Sequence, residues 1–326
     1  MAVAALGAAA CSGDPAPEPS GVGAETPTIL ATTGIWADVV ANVACNGLAQ
    51  VESIIPVGGD PHGYEPSLQD RARMENAALV VANGLLLEEA LEDTLDAVEE
   101  SGTPVFRFAE GMDPIPYGFE TGHDDHDDEG HEDDHDDHAH EDDGHGHAHG
   151  AEDPHVWFDP HRVAEALPTL AQVLTTEVGL DQAAVEACLN SYVAELEAVD
   201  AEIAAKVEQL PAGSHKLVTN HEALGYFADR YGFEVIGTVI PSPSSMAQTS
   251  PAGLEALAEI IEHERIKAIF AETQHSVDDI EALAARVGDV DVVTLYTGSL
   301  GPAGSGADTY TGFLRTNTDL IVDALG

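Results

Sequence analysis

The strongest constraint on this chain is a twice-repeated alternation of short apolar runs with helical spacings, the two blocks separated by one uninterrupted helical run. In the first block TILATTG (28–34), VESIIPV (51–57), ALVVANG (78–84) and TPVFRFA (103–109) read as strands, and IWADVVANVA (35–44), DRARMENA (70–77) and LLLEEALEDTLDAVEE (85–100) as helices. In the second, HKLVTN (215–220), FEVIGTVI (233–240), IKAIFAE (266–272) and VDVVTLYT (290–297) are the strands. Its helices are EALGYFADRYG (222–232), SPAGLEALAEIIEHER (250–265), VDDIEALAARVG (277–288) and DTYTGFLRTNTDLIVDAL (308–325). Between the blocks lie PHRVAEALPTLAQVLTTEV (160–178) and then AAVEACLNSYVAELEAVDAEIAAKVEQL (183–210), which Pro211 and Gly213 terminate. A helix of about 25 residues spans about 37 Å, enough to cross one domain and reach another. Strand–helix alternation calls for parallel sheet with helices on its faces. The expected fold is therefore α/β: two similar lobes of parallel-type sheet with flanking helices, 28–180 and 211–326, joined by one long helix within 181–210.

Two segments stand outside this pattern. Residues 12–27 are rich in Pro, Gly, Ser and Glu and read as a flexible tether. Residues 122–152 form a loop of Asp, Glu and Gly around His123, His126, His131, His135, His138, His140, His145, His147 and His149, with no apolar face to bury. The loop is either a solvated low-complexity insertion or a weak zinc collector. Its carboxylates favour protonated imidazole, so any metal affinity it has falls with pH. The whole chain carries 60 acidic against 11 basic residues, a formal charge of −49, which excludes nucleic acid and anionic headgroups as partners. Outside the loop the acidity remains, as a solvated surface or as adaptation to salt. No segment approaches the ~18 apolar residues of a membrane span.

Setting aside Cys11 in the amino-terminal run, two cysteines remain, Cys45 and Cys188. They pair in an oxidising compartment or sit as two buried thiols; the sequence leaves both readings open.

Candidate chemistry centres on imidazoles. In GGDPHGYEPS (58–67) and AEDPHVWFDP (151–160) a single histidine, His62 or His155, stands directly behind an Asp-Pro turn. His155 closes the acidic loop, His221 follows HKLVTN, and Glu272 follows IKAIFA. Ligands of open α/β sheets bind outside the carboxyl ends of the strands, so two facing lobes bring such residues to one cleft. A lone histidine is more often a loop or core residue, but three at comparable places in the strand pattern favour a metal, and neutral imidazole is a preferred zinc ligand. Catalysis finds no support, and the chain is read as no enzyme. His221-Glu222-Ala223-Leu224-Gly225 begins like the zinc-protease HExxH helix but has Gly225 where the second histidine belongs, and GPAGSGAD lacks the lysine of a phosphate loop.

The stretches DPHGYEPS, DPHVWFDP, NHEALGYFADRYG, FAETQ and GADTYTGFLRTN resemble, in order, those of the cluster A-I metal-binding lipoproteins of ABC importers, zinc-uptake type, over about residues 28–326. The resemblance implies that His62, His155 and His221 are metal ligands and that a rigid helix, matched by 183–208, links the lobes. It implies zinc as cargo, with manganese the runner-up. Many relatives carry an acidic fourth ligand where TLYTGSLG places Gly298, so this site is nitrogen-rich, which favours zinc by ligand type. Glu272 matches an acidic family position, as fourth ligand or as a support behind a histidine. A histidine-rich insertion is typical of zinc-type relatives. MAVAALGAAAC followed by SGDPAPEPSGVGAETP resembles a bacterial lipoprotein signal and its tether, which implies lipidation at Cys11, although Ala8 stands where Leu is usual and no basic segment precedes it. The implied protein is an extracytoplasmic monomer, held to the membrane by its lipid alone, that delivers metal to an ABC permease. The alternatives are a manganese-specific member of the same family, or a surface metal buffer or adhesin without a transporter.

Overall fold

A computed structural model describes residues 26–117 and 152–326. The tether, Cys11 and all nine loop histidines lie outside the described residues.

The first lobe is built on β1 (Thr28–Ala31), β2 (Gln50–Ser53), β3 (Leu79–Ala82) and β4 (Val105–Arg107), with α1 (Gly34–Val43), α2 (Leu68–Glu75) and α3 (Glu92–Glu100) between them. The second is built on β5 (Lys216–Thr219), β6 (Glu234–Thr238), β7 (Ala268–Glu272) and β8 (Asp291–Leu295), with α6 (Gly225–Tyr231), α7 (Pro251–Glu264) and α8 (Asp278–Val287). Both sheets are wholly parallel, in the orders β2-β1-β3-β4 and β6-β5-β7-β8. Strands covered on both faces read as apolar runs: β3 (LVVA) is apolar and buried at every position, and β7 (AIFAE) is buried at every position and apolar up to Glu272 at its carboxyl end. In each order the direction of winding reverses beside the first strand, which opens a crevice at the carboxyl ends of β1 and β3 and of β5 and β7.

One long helix joins the lobes, and a second, packed against it, leads into it. α4 (Pro160–Thr176) starts at Asp159, whose carboxylate accepts from the backbone of His161 and Arg162. α5 (Gln182–Val207) is 26 residues long, which corresponds to about 39 Å. Its buried stripe of Val185, Cys188, Tyr192, Leu196, Val199, Ile203 and Val207 steps by three or four residues. The stripe packs on α1 and α4 and on α9 (Tyr310–Leu325), the last helix of the chain. α9 also carries the ion pairs Arg315–Glu202 and Lys206–Asp319 to α5. Exposed pairs are worth at most about 1 kcal/mol each, whereas each buried Leu, Val or Ile contributes about 1.5–3 kcal/mol, so the apolar seam fixes the connector. One continuous core runs from Trp36 and Trp157 through Leu196 to Leu217 and Phe270, spanning both lobes.

Cys45, just past α1, and Cys188, in the second turn of α5, form a disulfide with Cα atoms 5.9 Å apart. This resolves the two readings of these residues and staples the connector to the first lobe.

The structure corrects two expectations. Of 85–100, only 92–100 is helical; Leu85 and Leu86 take left-handed φ of 56° and 59° behind Gly84. The cause is Glu88, fully buried, whose carboxylate turns inward to accept from Asn83 N–H at 2.7 Å, Gly84 N–H at 3.2 Å and Thr32 Oγ1 at 2.6 Å. Those bonds satisfy the donors left at the end of β3, which a helix starting at 85 would strand. The helix read from 222 begins instead at Gly225, because 221–224 is the turn that presents His221. A Cβ at 225 would lie 2.4 Å from Asp153 Oδ2, so glycine permits this approach of the lobes.

Candidate metal centre

Each candidate imidazole is held by its own backbone before it meets the others. His62 lies in the loop after β2, and Asp60 Oδ1 accepts its backbone N–H at 3.1 Å. Asp153 Oδ1 does the same for His155 at 2.9 Å, so both Asp-Pro-His stretches fold as Asx turns. Asp153 Oδ1 also accepts from His155 Nδ1 at 2.8 Å. His221 follows β5, with Thr219 Oγ1 donating to its carbonyl at 2.7 Å. Glu272, the last residue of β7, accepts from both His221 N–H at 3.2 Å and His221 Nδ1 at 2.5 Å. His155 differs from the strand-end placement read for it: it is reached through a bridge between Pro116 and Glu152 and leads into a 3-10 turn, 156–158, ahead of α4.

The three side chains converge. His155 Nε2 lies 3.3 Å from His62 Nε2 and 3.2 Å from His221 Nε2, and the three residues form a group whose ligand atoms all lie within 4.8 Å of one another. Zinc–imidazole bonds of about 2.0–2.1 Å place two nitrogens of a tetrahedron about 3.3 Å apart, so the spacing fits ligands of one ion. His62, His155 and His221 are only 3 %, 1 % and 3 % exposed. Nδ1 of His155 and His221 is engaged by a carboxylate, which leaves the Nε2 lone pairs for the centre. His62 Nδ1 lies 3.7 Å from Glu89 Oε1.

Electrostatics set the protonation. Burial, with the two neighbouring imidazoles, holds His155 well below the usual histidine range, so it is neutral at pH 7. Burial also disfavours the His221 cation, but the Glu272 carboxylate outweighs it and His221 is raised. Burial pushes against the Glu272 carboxylate, yet His221 and the Thr297 hydroxyl bring it down to about 2. Burial moves Asp153 up to about 7. Both Glu272 oxygens are occupied, Oε1 by His221 and Oε2 by Thr297 Oγ1 at 2.7 Å.

Contacts across the cleft close the lobes on this point. Ser245 Oγ donates to Asp60 Oδ2 at 2.7 Å, Gly58 N–H to Ser299 Oγ at 2.8 Å, and Trp157 Nε1–H to the Thr297 carbonyl at 2.9 Å. Gly298 fits this closure: a Cβ there would lie 2.7 Å from Pro61 Cδ and 3.1 Å from Gln274 Nε2. Sequence alone does not reveal Asp153 as the partner of the His155 ring or Asp60 as the partner of the His62 backbone, although both stand in the Asp-Pro turns. Nor does it single out His275, which forms a second group with His221 and Glu272.

Two parallel α/β lobes on one helical connector, with a buried polar centre where their strand ends face, define a two-lobed solute-binding protein. The chain belongs to the family described as zinc-uptake complex component A, periplasmic (ZnuA), whose family model matches residues 29–324. It is 28 % identical over 304 residues to the zinc-binding protein TroA of Treponema pallidum, covering 92 % of this chain and 89 % of that one. The solved structure of the periplasmic zinc-binding protein TroA superposes with a TM-score of 0.77 over 92 % of this chain and 99 % of that chain. The manganese ABC transporter substrate-binding lipoprotein PsaA of Streptococcus mitis is 25 % identical, covering 91 % of this chain and 88 % of that one. A manganese-bound periplasmic metal-binding protein of Candidatus Liberibacter asiaticus, 22 % identical, shares the fold at a TM-score of 0.73, covering 92 % of this chain and all of that one.

Proposed function

We propose that this chain is an extracytoplasmic substrate-binding protein that captures zinc between its lobes and hands it to an ABC permease. The convergence of the His62, His155 and His221 Nε2 atoms carries this reading. The first two come from the first lobe and the third from the second, so one ion bridges the cleft and favours its closed form. A bridging ion adds to interlobe hydrogen bonds such as Ser245–Asp60, Gly58–Ser299 and Trp157–Thr297, which contribute about 0.5–1.5 kcal/mol each. The core shared by the lobes restricts how far they part.

An all-nitrogen donor set suits zinc better than manganese, which prefers carboxylate and water. The names of relatives carry both metals, which makes the choice testable. Competition of zinc against manganese in the purified protein, followed with a chromophoric chelator, should favour zinc by more than a Gly298→Asp variant does, because the added carboxylate suits manganese. A manganese preference would contradict the zinc reading and leave the family assignment standing.

The Cys45–Cys188 disulfide supports an oxidising, extracytoplasmic location. In this reading Cys11 carries a lipid, the monomer reaches the membrane through that lipid alone, and Glu272 supports His221 rather than ligating the ion. The loop histidines collect zinc weakly and raise its local concentration beside His155. The chain performs no catalysis of its own.

A further inference from the structure

His275 sits on the turn after β7, and its side chain is 21 % exposed while every residue of the three-imidazole centre is buried. Its ring centroid lies 6.1 Å from that of His221, and its Nε2 lies 3.9 Å from Glu272 Oε2. His221, Glu272 and His275 thus offer two imidazoles and one carboxylate whose ligand atoms lie within 4.8 Å of one another. Two histidines and a glutamate are a known zinc donor set.

We propose that Glu272 and His275 form a second, weaker binding position for a zinc-like divalent cation, next to the three-imidazole centre and on its solvent side, joined by His221 only while the single lone pair of its neutral ring is not held by an ion at that centre. The inference rests on the reading of that centre as the cargo site and adds a step to it: an ion meets His275 and Glu272 before it reaches His62 and His155. Ligands of one zinc ion stand about 3.3 Å apart, so the His275–Glu272 gap of 3.9 Å closes by about 0.6 Å, within reach of a side-chain rotation. Weakness follows from competition, because both Glu272 oxygens already serve His221 and Thr297 and must be shared. Weak binding at the outer position lets an ion leave it for the inner one.

The test is diffraction at the zinc absorption edge from crystals of the full chain soaked in zinc chloride, first near equimolar and then in molar excess. The expected result is one anomalous peak among the three Nε2 atoms at low zinc and a second between Glu272 and His275 at high zinc. His275→Ala should abolish the second peak and keep the first. His275→Gln, which retains bulk and polarity, covers the case in which the alanine variant fails to fold. In solution, both variants should load zinc from a competing chelator about tenfold more slowly, with equilibrium affinity changed less than about threefold. A wild-type crystal with no second peak in excess zinc overturns the proposal, as does a second peak that survives both substitutions. A peak at Glu272–His275 without one at the three imidazoles contradicts the cargo-site reading while supporting the second position, so the two failures are distinguishable.

Discussion

His221 Nδ1 donates to Glu272 Oε1 at 2.5 Å, which joins the end of β5 to the end of β7 and turns His221 Nε2 toward the other two imidazoles. The carboxylate fixes both the tautomer and the orientation of the ring. Glu272→Ala should lower zinc affinity by about 10–100-fold, measured by chelator competition, with the fold retained by circular dichroism. Unchanged affinity would remove Glu272 from any role at the centre.

His155 is the middle member of the cluster, within 3.3 Å of both other Nε2 atoms. His155→Ala should lose about tenfold or more in zinc affinity, equivalent to about 1.4 kcal/mol. A variant that binds like the wild type excludes His155 from the centre.

Proton competition gives the sign of the pH dependence. His221 is raised above the usual 6.5 by Glu272, so its proton persists to higher pH than that of a free imidazole and must leave before zinc binds. Affinity should therefore be full above the His221 pKa and fall by about tenfold per pH unit below it. Glu272→Gln removes the charge that raises His221, so the onset of the fall should move to lower pH. Titrations from pH 8 to pH 5 check both; an onset that stays in place would show that the carboxylate does not control it.

The Cys45–Cys188 bond closes a span of 143 residues between α1 and the connector. Its removal by Cys45→Ser with Cys188→Ser should cost about 2–4 kcal/mol and lower Tm by several degrees. Zinc affinity should change little, because the bond lies away from the imidazoles. Unchanged thermal unfolding would show that the bond adds nothing to stability.

Deleting 122–150 should leave zinc affinity at the centre nearly unchanged and reduce the number of zinc ions bound. Calorimetry that counts the same stoichiometry would rule out the collecting role.

The two lobes were legible because strand and helix periods differ, and because a covered parallel strand such as LVVA cannot be mistaken for a surface loop. The meeting of His62 and His221 was legible from their places after strands, and that of His155, which follows an isolated bridge rather than a strand, from the family motifs. Less legible were features set by tertiary contact. Glu88 looks like one more acidic residue of an amphipathic helix, yet its burial against Asn83, Gly84 and Thr32 breaks that helix. The Cys45–Cys188 pairing depends on α1 and α5 packing side by side, which no local pattern encodes. His275 reads as a loop residue and gains meaning only from its distance to Glu272.

The most direct test is an anomalous difference map at the zinc edge from the protein crystallised with one equivalent of zinc. A single strong peak is expected about 2.0–2.1 Å from Nε2 of His62, His155 and His221 alike. A peak bonded to fewer than two of them, or none between the lobes, would contradict a zinc site shared by the three histidines.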